Sequence, residues 1–216
     1  MSQNLTNFSK SFKYNRLSNQ IIIINHNTVF KFVKLSPKRK NIINWLLANN
    51  SYYLPNINIF QNYISYDLIA GYSFKQIGFT GILELKNILL VIQTLQKLKY
   101  KRKYVVHGDL SPVNIIFTQN LEVKKIIDWD NAKLGSKYQD PAYIFWLWIN
   151  FGANNKNFSQ LKREANVFKN TLQYNQNDLK KLQWWIYKVI KNKMKKHSYQ
   201  IKNNDWLLKW YLNCIE

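Results

Sequence analysis

Val105-Val106-His107-Gly108-Asp109-Leu110-Ser111-Pro112-Val113-Asn114-Ile115-Ile116-Phe117 joins two apolar, β-branched runs through a polar loop. Fourteen positions after Asn114 comes Asp128, in Lys124-Lys125-Ile126-Ile127-Asp128-Trp129-Asp130. Both stretches read as short strands with acid or amide groups at their ends. Asp109, Asn114 and Asp128 therefore stand at strand mouths, where they can converge. An Asp, an Asn and a second Asp are the groups that metal-assisted phosphoryl transfer uses. One carboxylate accepts the proton of an attacking hydroxyl, while an amide oxygen and another carboxylate hold Mg²⁺ on nucleotide phosphates.

The 216 residues suffice for one large domain or two small lobes. Hydrophobic residues make up 46%, so a core is available and disorder is not expected. The one cysteine, Cys214, has no partner for an internal disulfide, which agrees with a reducing, cytoplasmic setting. From the polar start Met1-Ser2-Gln3-Asn4 no secretion signal is expected, and no apolar run is long enough for a membrane span. Lys and Arg number 32 against 11 Asp and Glu, giving a net charge of +21. Such a field attracts nucleic acid, anionic membranes and ATP alike. The lysines are spread over the whole chain, and Lys, Asn, Ile, Tyr and Phe are all over-used. This is compositional drift, and no specific nucleic-acid partner is expected.

Strands at 20–25 and 28–34 flank a turn at His26-Asn27. Ser36-Pro37 supplies an N-cap and first-turn proline for a helix to about residue 48. Strand-like segments follow at 57–60 and 63–68, and Ala70-Gly71-Tyr72 breaks the pattern. Leu85, Ile88, Leu89, Ile92, Leu95 and Leu98 recur at helical spacing over 81–99. Asp140-Pro141 reads as the cap and first turn of a helix through 148. Further helices are expected over 158–172, 177–196 and 205–212, with Leu179, Leu182, Ile186 and Val189 on one face of the second.

His107-Gly108-Asp109-Leu110-Ser111-Pro112-Val113-Asn114, followed by Ile126-Ile127-Asp128-Trp129-Asp130, resembles the catalytic loop and metal-binding segment of the aminoglycoside phosphotransferase and choline kinase superfamily. The match is specific because Asn114 and Asp128 follow Asp109 by five and nineteen positions, each with strand-like flanks. The resemblance implies an α+β, two-lobed protein-kinase-like fold. Residues 1–68 would form a small N-lobe of antiparallel sheet plus one helix, and residues 69–216 a larger helical C-lobe. It also implies a monomeric enzyme using ATP and Mg²⁺. Asp109 would be the catalytic base, Asn114 and Asp128 the Mg²⁺ ligands, and His107 a brace for the loop. Gly108 stands where many protein kinases have Arg, so control by an activation-loop phosphate is not expected.

In the N-lobe the resemblance assigns Lys31 to the nucleotide phosphates, with Lys34 the competing lysine. Alternation puts Val29, Lys31 and Val33 on one face and Phe30, Phe32 and Lys34 on the other. Ser18 and Asn19 occupy the place of the family's phosphate loop, and Tyr66, Asp67 and Leu68 that of its adenine-reading hinge. Two departures stand out. Lys38-Arg39-Lys40 stands where the family often has a helix glutamate, and no acid precedes Asp67. The first glycine is Gly71, so the phosphate-loop segment lacks the residue most at ease with positive φ. Both departures also fit a catalytically weak pseudokinase that binds without turnover.

Asp130 follows Asp128 by two, so in a strand both would face the same way. By resemblance it would orient substrate or metal, or it would cap the turn. Asp140-Pro141-Ala142-Tyr143 is similar to a family segment with an Asp three residues after the Pro, where this chain has Ile144. Most of the tryptophans read as core, with Trp184 and Trp185 as candidates for cation–π contact with a cationic substrate. Acids are sparse after the metal segment, which disfavours a polycationic acceptor. A singly charged alcohol fits better. The plan is closest to that of bacterial thiamine kinases, implying transfer of the γ-phosphate to thiamine, with choline or ethanolamine as alternative acceptors.

Overall fold

The computed structural model describes residues 21–49, 52–73, 81–149 and 158–196. Ser18, Asn19 and the helix expected over 205–212 lie outside them. The chain divides into two compact units, 1–70 and 71–216.

In the first unit, β1 (Ile22–Asn25) and β2 (Thr28–Lys31) form a hairpin, with His26 at φ 49° in the turn. β3 (Ile57–Ile59) and β4 (Ile64–Asp67) complete an antiparallel sheet of order β1-β2-β4-β3. The register sets Lys31 opposite Ile64 and Val29 opposite Tyr66, and all four side chains are buried. Phe30 and Phe32 instead meet the Tyr63 ring, at centroid distances of 6.2 and 5.8 Å. The alternation read over 28–34 thus holds for these residues. α1 (Pro37–Asn49) opens as expected, with Pro37 in its first turn and the Lys40 N–H donating to the Ser36 carbonyl at 3.0 Å. It buries Ile42, Ile43 and Leu46, each worth roughly 1.5–3 kcal/mol relative to exposure.

In the second unit, α2 (Ile82–Gln96) buries Leu85, Ile88, Leu89, Ile92 and Leu95 of the predicted stripe, while Leu98, its sixth member, lies past the helix end and is half-buried. The Glu84 carboxylate accepts the Gly81 N–H at 3.1 Å, a favourable place for an anion at a helix start. The helix ends before residue 99 because Lys99 enters a strand. β5 (Lys99–Tyr100) and β6 (Lys103–Val106) form a tight hairpin whose turn residues, Lys101 and Arg102, both have positive φ. β7 (Ile115–Phe117) pairs with β8 (Val123–Ile126), and β9 (Lys133–Gly135) pairs with β6. β5 and β9 were not foreseen, since runs of two or three residues rich in lysine carry no strand pattern.

α3 (Gln139–Trp148) packs on α5 (Gln176–Lys196), and α2 packs on α4 (Phe158–Leu172). Asn175 caps α5, its side-chain oxygen accepting the Asp178 N–H at 2.9 Å. Leu179, Leu182 and Ile186 are buried as expected, but the next buried residue is Ile190, not Val189. Among the described residues no helix is long and apolar enough to cross a membrane.

Two local readings are corrected. Asp140 does not cap α3: the helix begins one residue earlier, and the Asp140 side chain is buried. Asp128 and Asp130 do not share a strand face. β8 ends at Ile126, Asp128 is left-handed (φ 67°, ψ 51°), and residues Trp129–Asn131 form a 3-10 turn. Asp130 is consequently buried while Asp128 is half-buried.

Candidate active site

The segment from His107 to Leu110 leaves β6 with no regular structure, so its backbone groups need partners elsewhere. Side chains supply them. The buried Asp140 carboxylate accepts the N–H groups of His107 at 2.8 Å and Gly108 at 3.0 Å. The Asp109 N–H donates to His107 Nδ1 at 3.2 Å, while His107 Nε2 lies 2.9 Å from the Ile127 carbonyl. Together these contacts select the neutral tautomer protonated on Nε2, which gives Nδ1 a lone pair to accept. The Asn114 amide donates to the Asp109 carbonyl at 2.9 Å, and Trp148 Nε1 to the Leu110 carbonyl at 2.9 Å.

Gly108 is required by this geometry. Its φ is +84°, and a Cβ there would stand 3.1 Å from the Asn131 carbonyl. The loop then turns through Pro112–Asn114 into β7. The Ile127 N–H donates to the Asn114 carbonyl at 2.9 Å, so the residue before Asp128 is tied to Asn114 across the β7–β8 hairpin. A continuous set of hydrogen bonds thus links Asp109, Asn114 and the start of the Asp128 turn. The edge of the His107 ring packs on Trp129, with centroids 4.6 Å apart.

Burial pushes the Asp140 carboxyl up to about 6, against the pull of the two N–H groups and of Lys133. The Tyr143 hydroxyl donates to Asp109 Oδ1 at 2.6 Å. Burial raises the Tyr143 phenol well above its ordinary range, and the Asp109 carboxylate raises it further. Sequence reading missed this pair. Tyr143 is placed by the helical register of α3, one turn after Asp140.

Residues 78–166 match the phosphotransferase enzyme family. Solved structures share the fold at low identity. An ADP-bound aminoglycoside phosphotransferase is 14% identical, with a TM-score of 0.53 over 96% of this chain and 92% of its own. A GDP complex of an aminoglycoside 2'-phosphotransferase is 12% identical, with a TM-score of 0.55 over 95% and 91%. The Plasmodium vivax ethanolamine kinase is 13% identical, with a TM-score of 0.59 over 84% and 73%. The chain shares the fold of these phosphotransferases and of the ethanolamine kinase. No curated protein matches the sequence.

Within this fold, the other residues singled out in the sequence are placed as follows. Lys31 is buried in the sheet of the first unit. Tyr66 is buried beside it, the Asp67 carboxylate accepts the Asn56 amide at 3.2 Å, and the Leu68 N–H donates to the Asn27 carbonyl at 2.6 Å. Trp184 is exposed and stands edge-on to Trp185, with centroids 4.9 Å apart. The Lys188 ammonium lies 4.7 Å from the centroid of each ring. Trp185 and Tyr143 line a cavity of about 320 Å³ that reaches Gly108.

Proposed function

We propose that this chain is an ATP-dependent kinase that transfers the γ-phosphate to the hydroxyl of a small molecule. The immobilised loop carries this reading: each N–H from residue 107 to 109, and the carbonyls of 109 and 110, is held by a side chain. A carboxylate on so fixed a backbone is suited to meet a reacting hydroxyl without further ordering. Asp109 would accept the acceptor's proton.

Asn114 and Asp128 would hold Mg²⁺. The donor set fits, because the Asn114 NH₂ is committed to the Asp109 carbonyl, leaving its oxygen as the donor, and Asp128 is only half-buried. Among the described residues no cluster of three His, Cys, Asp or Glu could bind a metal alone. Nucleotide phosphates would complete the coordination, as Mg²⁺ sites commonly require. Mg²⁺, when bound, neutralises charge on the transferring phosphoryl group. Lys31 would grip the phosphates, with Ser18 and Asn19 as the phosphate loop and Tyr66, Asp67 and Leu68 as the adenine edge. His107 braces the loop through its two ring nitrogens, and Asp130 would orient substrate or metal, or cap the turn.

Thiamine is the acceptor favoured by the sequence resemblance, with choline and ethanolamine as alternatives. The test is ADP release from Mg·ATP with these three, kanamycin, and the acidic alcohols named below. Wild type should release ADP with one of them. Asp109→Asn should lower that rate on the order of 10²–10⁴-fold while Mg·ATP still binds. A second reading, the pseudokinase, draws on the absence of any acid before Asp67 and any glycine before Gly71. Equal background release by both proteins, with ATP bound, would establish it instead.

A further inference from the structure

The cavity beside the catalytic loop is walled by elements that the sequence reading never joined. Gly108 and Tyr143 form the side next to Asp109, since Tyr143 bonds the Asp109 carboxylate directly. Trp185 of α5 supplies a flat apolar wall. Lys133 of β9 and Lys188 of α5 are both lining residues, with the neutral amides Gln139 and Asn192. Its volume of about 320 Å³ is at the lower end of small-molecule sites.

The charge of this lining opposes a cationic ligand. Asp140 is the one acid among the described lining residues, and its two oxygens accept the N–H groups of His107 and Gly108. Trp184 and Trp185, the aromatic pair that a quaternary ammonium would use, already carry the Lys188 ammonium between them. A cationic acceptor would have to displace that lysine and then face Lys133. An anion meets two lysines and two neutral amides against the one Asp140 carboxylate, and the lysines can give it charge-assisted hydrogen bonds.

We infer that the acceptor is an anionic alcohol: its carboxylate or phosphate binds Lys133 and Lys188 in this cavity while its hydroxyl approaches Asp109. The inference rests on the kinase reading above for the fate of the hydroxyl, and on the cavity alone for the binding of the anion. The acceptor hydroxyl loses its proton to Asp109, its oxygen bonds to the γ-phosphorus of ATP, and ADP leaves with the bridging electron pair.

Calorimetric titration of the full chain with D-glycerate and with glycerol 3-phosphate tests the anion site, and the stronger binder identifies carboxylate or phosphate as its partner. Choline and ethanolamine are titrated alongside. Anionic alcohols should bind more tightly than the cations, and Lys133→Met or Lys188→Met should weaken them about tenfold, the worth of one charged hydrogen bond. Lys86→Met, an exposed lysine on α2, is the control for general positive charge and should change nothing. Tighter binding of the cations, no binding of either anion, or an equal effect of all three lysine variants overturns the inference. Lysine-dependent glycerate or glycerol 3-phosphate binding, with no ADP released for any alcohol, keeps the anion site and removes the kinase reading. ADP release with thiamine or choline and not with the acids keeps the kinase and removes the anion site.

Discussion

At the scale of single residues, the Tyr143 hydroxyl occupies one oxygen of Asp109 at 2.6 Å. A hydrogen bond to a charged partner contributes about 1.5–3 kcal/mol. Tyr143→Phe keeps the ring and deletes the donor, freeing the carboxylate to rotate away from its set position. The expected result is a fall in kcat of about tenfold or more, with Mg·ATP affinity unchanged; an unaltered kcat would show the contact to be idle. Asp128→Asn should behave differently. It would remove the charge of a proposed Mg²⁺ ligand, so Mg²⁺-dependent nucleotide binding and rate should fall together. Nucleotide titration at several Mg²⁺ concentrations separates the two variants. Asp109, Asn114 and Asp128 were legible because their residue types and spacing are rare in combination. Tyr143 was not, since an aromatic residue in an apolar helix reads as core until the helix is placed.

At the scale of elements, the loop after β6 depends on α3. Asp140 has its proton held more tightly in the fold, near 6, than the ordinary 3.8, because burial penalises its charge. The folded state therefore binds more protons than the unfolded chain between these values. This contribution to stability is full below about 3.8 and disappears as pH rises through about 6, a loss of roughly 3 kcal/mol. Asparagine does not titrate. Urea melts of wild type and Asp140→Asn at pH 4 and pH 7.5 should thus differ more at the lower pH. Asparagine also offers a single oxygen to two N–H groups, so it should be less stable by about 1–3 kcal/mol in addition. A gap between the proteins that is constant with pH would refute the burial argument. Gly108→Ala addresses the same loop. Alanine at φ +84° is strained and meets the Asn131 carbonyl, so stability should drop by about 1–2 kcal/mol in the same melts, with lower kcat.

At the scale of the whole chain, a net charge of +21 sets long-range attraction but no address. Lysines are dispersed, and nucleic acid should bind through counterion release alone. Filter binding of DNA duplexes of unrelated sequence should give equal affinities that fall steeply between 50 and 200 mM salt, as expected for phosphate-only contact. A preference for one sequence that survives the higher salt would contradict this.

The sequence by itself determined the opening of α1, most of the hydrophobic stripes of α2 and α5 and the β1–β2 hairpin, and it singled out Asp109, Asn114 and Asp128 as candidates. Each of these follows from local periodicity, turn chemistry or spacing along one stretch of chain. Tertiary structure alone decided the contacts of Asp140 and Tyr143, the burial of Asp130, the pairing of β9 with β6, and the placing of Lys133 and Lys188 on one cavity. Those features join residues 27 or more positions apart, or turn on a single left-handed residue, Asp128. The sign of charge around a cavity is likewise set by which side chains converge on it. Here two lysines from β9 and α5 converge on the loop that Asp140 holds, and composition alone does not specify that meeting.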